Sequence, residues 1–300
     1  MKLSTAVSDF VSSKQAQGLS PRSVDQYSGV LRLFEQWCAT NGIAATEQLD
    51  QRVIDRWQAH VLSDVSLRTH KALSRASART YVRVTGIFLR WCQADDLVGP
   101  KVKAKQPKKE KKLLRVLTRE EIDKLEAVAD SERDKVVVRT LADSGVRLSE
   151  LLNLRASDLI LSGRQHFLRV DGKSGPRQVP VSPGLFIRLR RLAHRGGDQL
   201  FMTNRASHKT GQVEPLRPRS LQNMLVALGQ RADVEGVHAH AFRHAFITRA
   251  LRSGMNVVVL KDIVGHSDLS QISNTYSHLL PGDHYEALLR MLSSESSSGK

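Results

Sequence analysis

The sequence predicts a mainly α-helical chain in two parts: a small helical domain over residues 1–99 and an α+β domain over residues 113–293 that carries a small β-hairpin. Three observations predict this. Apolar residues recur at helical spacing through most of the chain. The stretch His166 to Val181 alternates instead, around a glycine-rich turn. Between the two parts lies GPKVKAKQPKKEKK, with two prolines and no apolar period, which sets a linker at residues 100–112.

Residues 1–18 read as a short amphipathic helix ending near Gly18. Ser20-Pro21 opens the next, with serine as the N-cap and proline at the first position. Val24, Tyr27, Val30, Leu31, Phe34 and Trp37 keep helical spacing along it until Asn41-Gly42. Further helices cover residues 50–63 and about 74–94. In the latter, Tyr81, Phe88, Trp91 and Cys92 repeat the spacing of Tyr27, Phe34, Trp37 and Cys38. Such stripes are the mark of core helices sharing a register, and the likeness stops there, so it is not a duplicated domain. In the second domain Thr118 and Glu121 form a capping box that starts a helix to about Ala129. A helix over about 133–143 stops at Gly145, and Arg147 and the short helix LSELLNL follow. Two strands, His166–Val170 and Arg177–Val181, flank the turn Asp171-Gly172-Lys173-Ser174-Gly175. Helices are expected at about 183–194, 218–232, 241–253, 256–264 and 283–293, the last with Tyr285, Leu288, Leu289 and Leu292 on one stripe. The tail 294–300 reads as disordered.

The chain has 300 residues, enough for each part to bury its own core. No run approaches about twenty uninterrupted apolar residues, so no transmembrane helix is expected. The start, MKLSTAVSDFVSSKQ, lacks the apolar core of a signal peptide and carries Asp9. Cys38 and Cys92 are the only cysteines and sit in apolar helical patterns, which predicts two reduced, buried thiols in a cytoplasmic protein.

The net charge of +16 points to a polyanion partner. Residues 1–99 carry 12 basic and 9 acidic side chains, residues 100–112 carry 7 and 1, and residues 113–300 carry 27 and 20. The charge is therefore densest in the connector, where Lys101, Lys103, Lys105, Lys108 and Lys109 could lie along phosphates. That fits better than a merely solvated linker, because the helical domain adds Arg22, Arg32, Arg68, Lys71, Arg75, Arg79 and Arg83 on polar faces that could touch a DNA backbone.

The chemistry-bearing stretch runs from His238 to His278. His240 stands three residues before Arg243, which puts both on one face of a helix. His266 follows Ile263-Val264-Gly265, and Tyr276 comes ten residues later. Two imidazoles, a guanidinium and a phenol suit holding a phosphodiester, neutralising its charge and attacking its phosphorus. A second arginine and a proton donor for the leaving group would complete the set, and both have candidates upstream.

In this order the pieces resemble the phage-integrase family of tyrosine recombinases over nearly the whole chain. SGVRLSELLNLRASDL is similar to the family's first arginine box, which implies Arg147 as the first catalytic arginine and Glu150 as the acidic residue that steadies the site. GKSGPRQVPVS resembles the family's β-hairpin, whose turn lysine would be Lys173. HAFRHAF matches the second box at His240 and Arg243, VGHSD matches the third at His266, and Tyr276 stands where the family has its nucleophile. GLSPRSVDQYSGVLRLFEQW is similar to the helical, SAM-like core-binding domain, which makes residues 113–293 the catalytic domain of a chain of Xer-like size. Each box alone is modest evidence; all of them in order behind a basic linker are specific. One feature departs from the pattern: the family's spacing from this histidine to the nucleophile is nine residues, and here it is ten. One residue turns a helical register by about 100°, so either the segment from Ser267 to Tyr276 contains an altered loop or bulge, or Tyr276 is delivered differently.

The residues have matching roles. Arg147 and Arg243 can donate paired hydrogen bonds to the non-bridging phosphate oxygens and stay charged throughout. The Tyr276 phenol, with an ordinary pKa of about 10, must lose its proton as it attacks, and His240 is the candidate base. His266 is the better candidate for hydrogen-bonding the phosphate. The resemblance implies that Lys173 protonates the departing 5′ oxygen and that the intermediate is a 3′-phosphotyrosine, which stores the energy of the broken bond, so that no ATP, metal or other cofactor is required. Gly172-Lys173-Ser174 resembles the end of a P-loop, but Phe167 replaces the partner glycine and the setting is a hairpin. His238, His240 and His244 have no HExxH or paired-cysteine pattern to support a metal. His278 reads as a local hydrogen-bonding residue.

The resemblance implies a site-specific recombinase acting on a double-stranded DNA recombination site. Two copies would clamp each duplex and four would form the active assembly, exchanging strands through a Holliday junction, with the helix at 283–293 packed into a neighbouring copy. A related recombinase or an accessory protein is a further expected partner; a membrane is not. Two alternatives stay open: a DNA-binding relative that has lost the chemistry, and a type IB topoisomerase-like nicking-closing enzyme. Phage integration, transposon movement or resolution and chromosome-dimer resolution all use this architecture. The short chain leaves little room for an arm-binding domain before residue 1, which favours simple resolvases or transposon recombinases.

Overall fold

The structure is a computed structural model that describes residues 1–63, 73–108, 115–172, 175–193, 198–207 and 210–265. It divides into two compact units, Met1–Lys112 and Leu113–Lys300. The helix expected at 283–293 and the tail lie outside the described residues.

In the first unit the described helices are α1 (Leu3–Ala16), α2 (Pro21–Thr40), α3 (Gln51–Ser63) and α4 (Arg75–Ala94). Two of them start alike: the Ser20 hydroxyl accepts the backbone N–H of Ser23 ahead of α2, and Ser74 accepts that of Ser77 ahead of α4. Each serine oxygen accepts an amide of the first helical turn, where the donors have no carbonyl a full turn back within the helix. The aromatic stripes of α2 and α4 meet in the core with Phe10 of α1 and Trp57 of α3. Phe88 stands edge-on to Phe10 at 5.6 Å, and Phe34 lies 5.2 Å from Trp57. The buried Trp57 indole donates to the Thr85 hydroxyl, so its one polar atom has a partner. Cys38 and Cys92 are buried and free. Burial, then the nearby Glu35 and Asp95 carboxylates, push their thiols up to about 12, so neither offers a reactive thiolate at neutral pH.

The second unit contains α5 (Arg119–Ala127), α6 (Glu132–Ser144), α7 (Leu148–Leu152), β1 (Leu159–Ser162), β2 (Gln165–Gly172), β3 (Gly175–Pro180), α8 (Pro183–Ala193), α9 (Pro218–Arg231), α10 (Ala239–Arg252) and α11 (Val257–Val264). The capping box is present: Thr118 Oγ1 accepts from the Glu121 amide, and the Glu121 carboxylate accepts from the Thr118 amide. The sheet is antiparallel in the order β1-β2-β3. The sequence predicts two strands, and β1 is the correction: LILS has no polar alternation to mark it, and it is recognised only by pairing Leu159–Ser162 with Leu168–Gln165. Leu168, Val170 and Val179 line the buried face of the sheet. They share a core with Val136, Val137, Val138 and Leu141 of α6 and with Phe242 and Ala245 of α10. Two glycines in the left-handed region end the helices that matter for the site: Gly145 after α6, at φ +62°, and Gly265 after α11, at φ +66°. Among the described residues no helix is long and apolar enough to cross a membrane.

All three tryptophans, Trp37, Trp57 and Trp91, lie in the first unit, so their fluorescence reports its unfolding alone. Phe88→Ala removes a fully buried ring and is expected to destabilise this unit by about 3–5 kcal/mol. Urea titration followed by tryptophan emission would measure it, and an unchanged midpoint would contradict this account of the core.

Candidate active site

The site is built where α6, α7, β3, α10 and α11 converge. The left-handed Gly145 turns the chain out of α6, and two residues later Arg147 caps α7. Glu150, at the third position of α7, takes the carboxylate's place in a capping box and accepts the Arg147 backbone N–H at 2.8 Å. The same carboxylate accepts the Arg147 guanidinium, Nη1 to Oε1 at 2.8 Å. Arg147 Nη2 donates to the Gly265 carbonyl at 2.8 Å, which ties the first arginine to the end of α11. Its side chain is 27 % exposed, against 10 % for Arg177.

Arg243 comes from α10 and is 3 % exposed. Its Nη1 donates to the Gly145 carbonyl at 2.7 Å and its Nη2 to the Val264 carbonyl at 2.6 Å. The two arginines thus hold successive carbonyls, Val264 and Gly265, at the C-terminal end of α11. Those carbonyls lack intrahelical partners and carry the negative end of the helix dipole, so guanidiniums are the donors that suit them.

His240 stands one turn before Arg243 on α10, at the open end of this cluster. It keeps solvent on one side, yet the protein around it removes part of its water. That desolvation, then the charges of Arg243, His238 and Arg147, lower its pKa and keep it neutral at neutral pH. His244, the next residue on this face, meets His240 edge-on with ring centroids 5.3 Å apart. It is pushed down to about 4, by burial first and then by His240, His238 and Arg243. His238 turns aside, with its Nδ1 2.7 Å from the Gly236 carbonyl oxygen. Among the described residues no three His, Cys, Asp or Glu side chains gather as a metal site.

One residue of the cluster escapes the sequence reading. Arg177 on β3 donates Nη1 and Nη2 to the two oxygens of Glu150 at 2.9 and 2.8 Å, and Nε to the Ile263 carbonyl at 2.7 Å. A signal for it existed. Strand alternation places Arg177 on the same face as the buried Val179, and an arginine pointing inward needs a carboxylate. Glu150 is 2 % exposed and is held by two guanidiniums. Burial alone would push its carboxyl up, but the hydrogen bonds and charges of Arg177 and Arg147 outweigh burial and hold it at about 2.

The structure therefore brings Arg147, Glu150, His240 and Arg243 together. Lys173, His266 and Tyr276 lie outside the described residues, as do Arg68, Lys71 and Lys109. Arg22 and Arg75 are exposed in the first unit, and Arg79 donates to Gln106 at 3.2 Å. Lys101, Lys103, Lys105 and Lys108 are exposed as well. The start of the Lys-rich segment is not loose chain: Gln51 bonds both backbone groups of Lys103, and Gln93 bonds the Gly99 and Val102 carbonyls.

A helical unit followed along the chain by an α+β unit whose helix ends gather two arginines, a histidine and a buried carboxylate defines the class: a two-unit chain with a cationic cluster in its second unit. The chain belongs to the phage integrase family, the tyrosine site-specific recombinases; the family match spans residues 115–282. It is 28 % identical over 298 residues to the tyrosine recombinase XerA of Thermococcus kodakarensis, covering 96 % of this chain and 98 % of that one. It is 25 % identical over 290 residues to XerC of Oceanobacillus iheyensis, covering 90 % of each. In fold it is similar to the Tn1549 transposon integrase in complex with transposon right end DNA, with a TM-score of 0.76 at 18 % identity, covering 97 % of this chain and 100 % of that one. It is also similar to the XerH recombinase bound to its difH substrate, with a TM-score of 0.67 at 18 % identity, covering 92 % and 81 %.

The depressed Glu150 pKa has a testable sign. A carboxyl held at about 2 contributes stability that is full above the ordinary carboxyl pKa and is lost as pH falls towards 2. The pH-dependent part is on the order of 3 kcal/mol. Melting curves of wild type and Glu150→Gln are expected to keep a constant separation above about pH 5 and to converge below about pH 4. A separation that stays constant down to pH 3 would show that Glu150 is not held ionised by its arginines.

Proposed function

We propose that this chain cleaves and rejoins DNA at a specific site through a 3′-phosphotyrosyl intermediate on Tyr276, exchanging strands by way of a Holliday junction. The observation that carries the reading is the convergence of Arg147, Glu150, Arg243 and a neutral His240 on the ends of α6 and α11. Two cations and one neutral base at the same place are what a phosphodiester needs in order to be attacked.

In this mechanism Arg147 and Arg243 bind the non-bridging oxygens of the scissile phosphate. For Arg243 this means sharing donors with the Gly145 and Val264 carbonyls, which fix the plane of the guanidinium before DNA arrives. The Tyr276 phenolic oxygen forms a bond to phosphorus while the bond to the 5′ oxygen breaks. The phenol proton passes to His240, and Lys173 gives a proton to the departing oxygen. His266 donates a hydrogen bond to the phosphate. A 5′-hydroxyl from a second strand reverses the sequence. Because the phosphotyrosine keeps the energy of the broken bond, the cycle needs neither ATP nor a metal.

The exposed basic residues of the first unit and its Lys-rich segment, Arg22, Arg75, Lys101, Lys103, Lys105 and Lys108, would meet the DNA backbone without reading its sequence, together with Arg68, Lys71, Arg79 and Lys109. The structural relatives bound to transposon-end DNA and to difH support a double-stranded DNA partner. Two copies would clamp one duplex and four would form the active assembly, with residues 283–293 of one copy packed into the next.

The reaction is tested by covalent trapping on duplexes selected for tight binding from a randomised library and nicked at successive positions. Wild type is expected to form a DNA adduct that maps to the peptide containing Tyr276, and Tyr276→Phe to form none. An adduct that survives the substitution would place the nucleophile elsewhere, and tight binding without an adduct would favour the non-catalytic alternative. Deleting residues 282–300 is expected to lower recombination far more than single-copy DNA binding, as gel-shift and recombination assays in parallel would show; equal losses would remove the terminal helix from the assembly.

A further inference from the structure

We propose that Arg177 is a positioning residue of the cleavage site, coupling the β2–β3 hairpin and the last turn of α11 to Arg147 through Glu150. The proposal rests on the recombinase reading above.

The geometry is a closed ring of bonds. Arg177 sits opposite the buried Val170 in the β2–β3 register and is 10 % exposed. Its fork engages both oxygens of Glu150 and its Nε holds the Ile263 carbonyl. Two residues along, the Gly265 carbonyl accepts from Arg147, and Arg147 returns to Glu150. Glu150 thereby accepts four N–H groups, two from each arginine, which fixes both the position and the plane of its carboxylate.

Two glycines keep the ring closed. A Cβ on Gly172 would overlap Glu150 Oε1 and lie 3.3 Å from Arg177 Nη1. A Cβ on Gly265 would lie 2.8 Å from Arg177 Nη1 and 2.9 Å from its Cζ. The backbone on each side has been brought against the ion pair at a distance that only glycine allows. Gly172 is also the residue directly before Lys173, and Gly265 the one directly before His266, so the ring grips the chain at the base of two segments that the mechanism uses.

Charge explains why a second arginine is present. Glu150 with Arg147 alone is a neutral pair, and the carboxylate would cancel the charge that Arg147 has to offer a phosphate. Arg177 supplies a second positive charge to the buried carboxylate, leaving one more cation than anion in the ring. Arg147 can then face the phosphate as a cation while still being held by a carboxylate.

The test is a double-mutant cycle on the full chain: wild type, Arg177→Met, Glu150→Gln and the two combined. The readouts are the single-turnover rate of adduct formation at saturating DNA, the affinity for the same duplex, and the melting midpoint. Arg177→Met is expected to slow cleavage by about 10²-fold, the scale of a small misplacement at a reacting centre, with its DNA affinity unchanged. In the Glu150→Gln background the same change is expected to add little, because the carboxylate it acts through is gone. The combined variant leaves no buried unpaired carboxylate, so the comparison with Glu150→Gln stands even where Arg177→Met alone folds poorly. An Arg177→Met protein that cleaves at the wild-type rate, a loss of DNA affinity that matches the loss of cleavage, or losses that multiply in the combined variant would each overturn the proposal. Absence of an adduct from the wild type overturns the recombinase reading and the proposal together, whereas a wild-type adduct with any of those three results overturns the proposal alone.

Discussion

The second unit depends on one buried carboxylate. Glu150 is almost sealed from water, and an ionised carboxyl in that setting is costly unless cations and hydrogen bonds replace its hydration. Here they do, from three directions: the start of its own helix, the strand β3, and, through the arginines, the end of α11. None of these elements can shift without breaking a charge-assisted bond. A buried ion pair of this kind is weak evidence for stability as such, since an apolar replacement of similar volume can be as stable. What it secures is geometry, because a two-pronged guanidinium–carboxylate contact tolerates little rotation. Of the two arginines that grip it, Arg177 is nearly buried and Arg147 is the more exposed.

Helix ends supply the remainder of the frame. Gly145 and Gly265 end α6 and α11 in left-handed turns that expose carbonyls instead of burying them unpaired. Arg243 joins the two ends by bonding Gly145 and Val264 at once, and further along α10 Arg249 bonds the Ala142 carbonyl at 2.6 Å. α10 is thus hooked to the C-terminus of α6 by two guanidiniums, each placed where the helix dipole favours a cation. Its apolar face, with Phe242 and Ala245, fills the core, and its opposite edge presents His240. A β-branched residue at position 145 would be doubly wrong: it would be strained at that φ, and its Cβ would stand 2.5 Å from Phe246 Cδ1.

Much of this frame is legible in the sequence, for reasons that differ from element to element. Helices with serine caps, a capping box or a long aromatic stripe announce themselves through local chemistry, and α2, α4 and α5 are of that kind. The hairpin is visible because alternation breaks the helical pattern. β1 is not: a short edge strand is defined by its partner, and no local signal in LILS separates it from a turn of helix. Within the site, Arg147, Glu150, His240 and Arg243 stand out by residue type and order. Arg177 does not, because its meaning depends on strand register and on what lies beneath the sheet. The carbonyl acceptors of Ile263, Val264 and Gly265 could not be read at all, since every residue has a carbonyl and only the approach of α11 to β3, α10 and the start of α7 singles these out.

The electrostatics of this arrangement couple binding to base strength. The cations that would hold the phosphate, Arg147 and Arg243, also repel a proton from His240, adding to its desolvation. In the free protein His240 is therefore neutral and able to accept a proton. A bound phosphate brings negative charge between these cations, which removes part of that repulsion and makes the imidazole a stronger base. On the recombinase reading, His240 gains basicity when a phosphodiester is in place and loses it when the site is empty. The returning proton is governed by the same balance, because the phosphate stays between the two arginines throughout the phosphotyrosyl stage. An imidazole of intermediate basicity can then take the phenol proton as the tyrosine attacks and return it as the strand is rejoined, while the proton of the 5′ oxygen stays with Lys173 on the same reading.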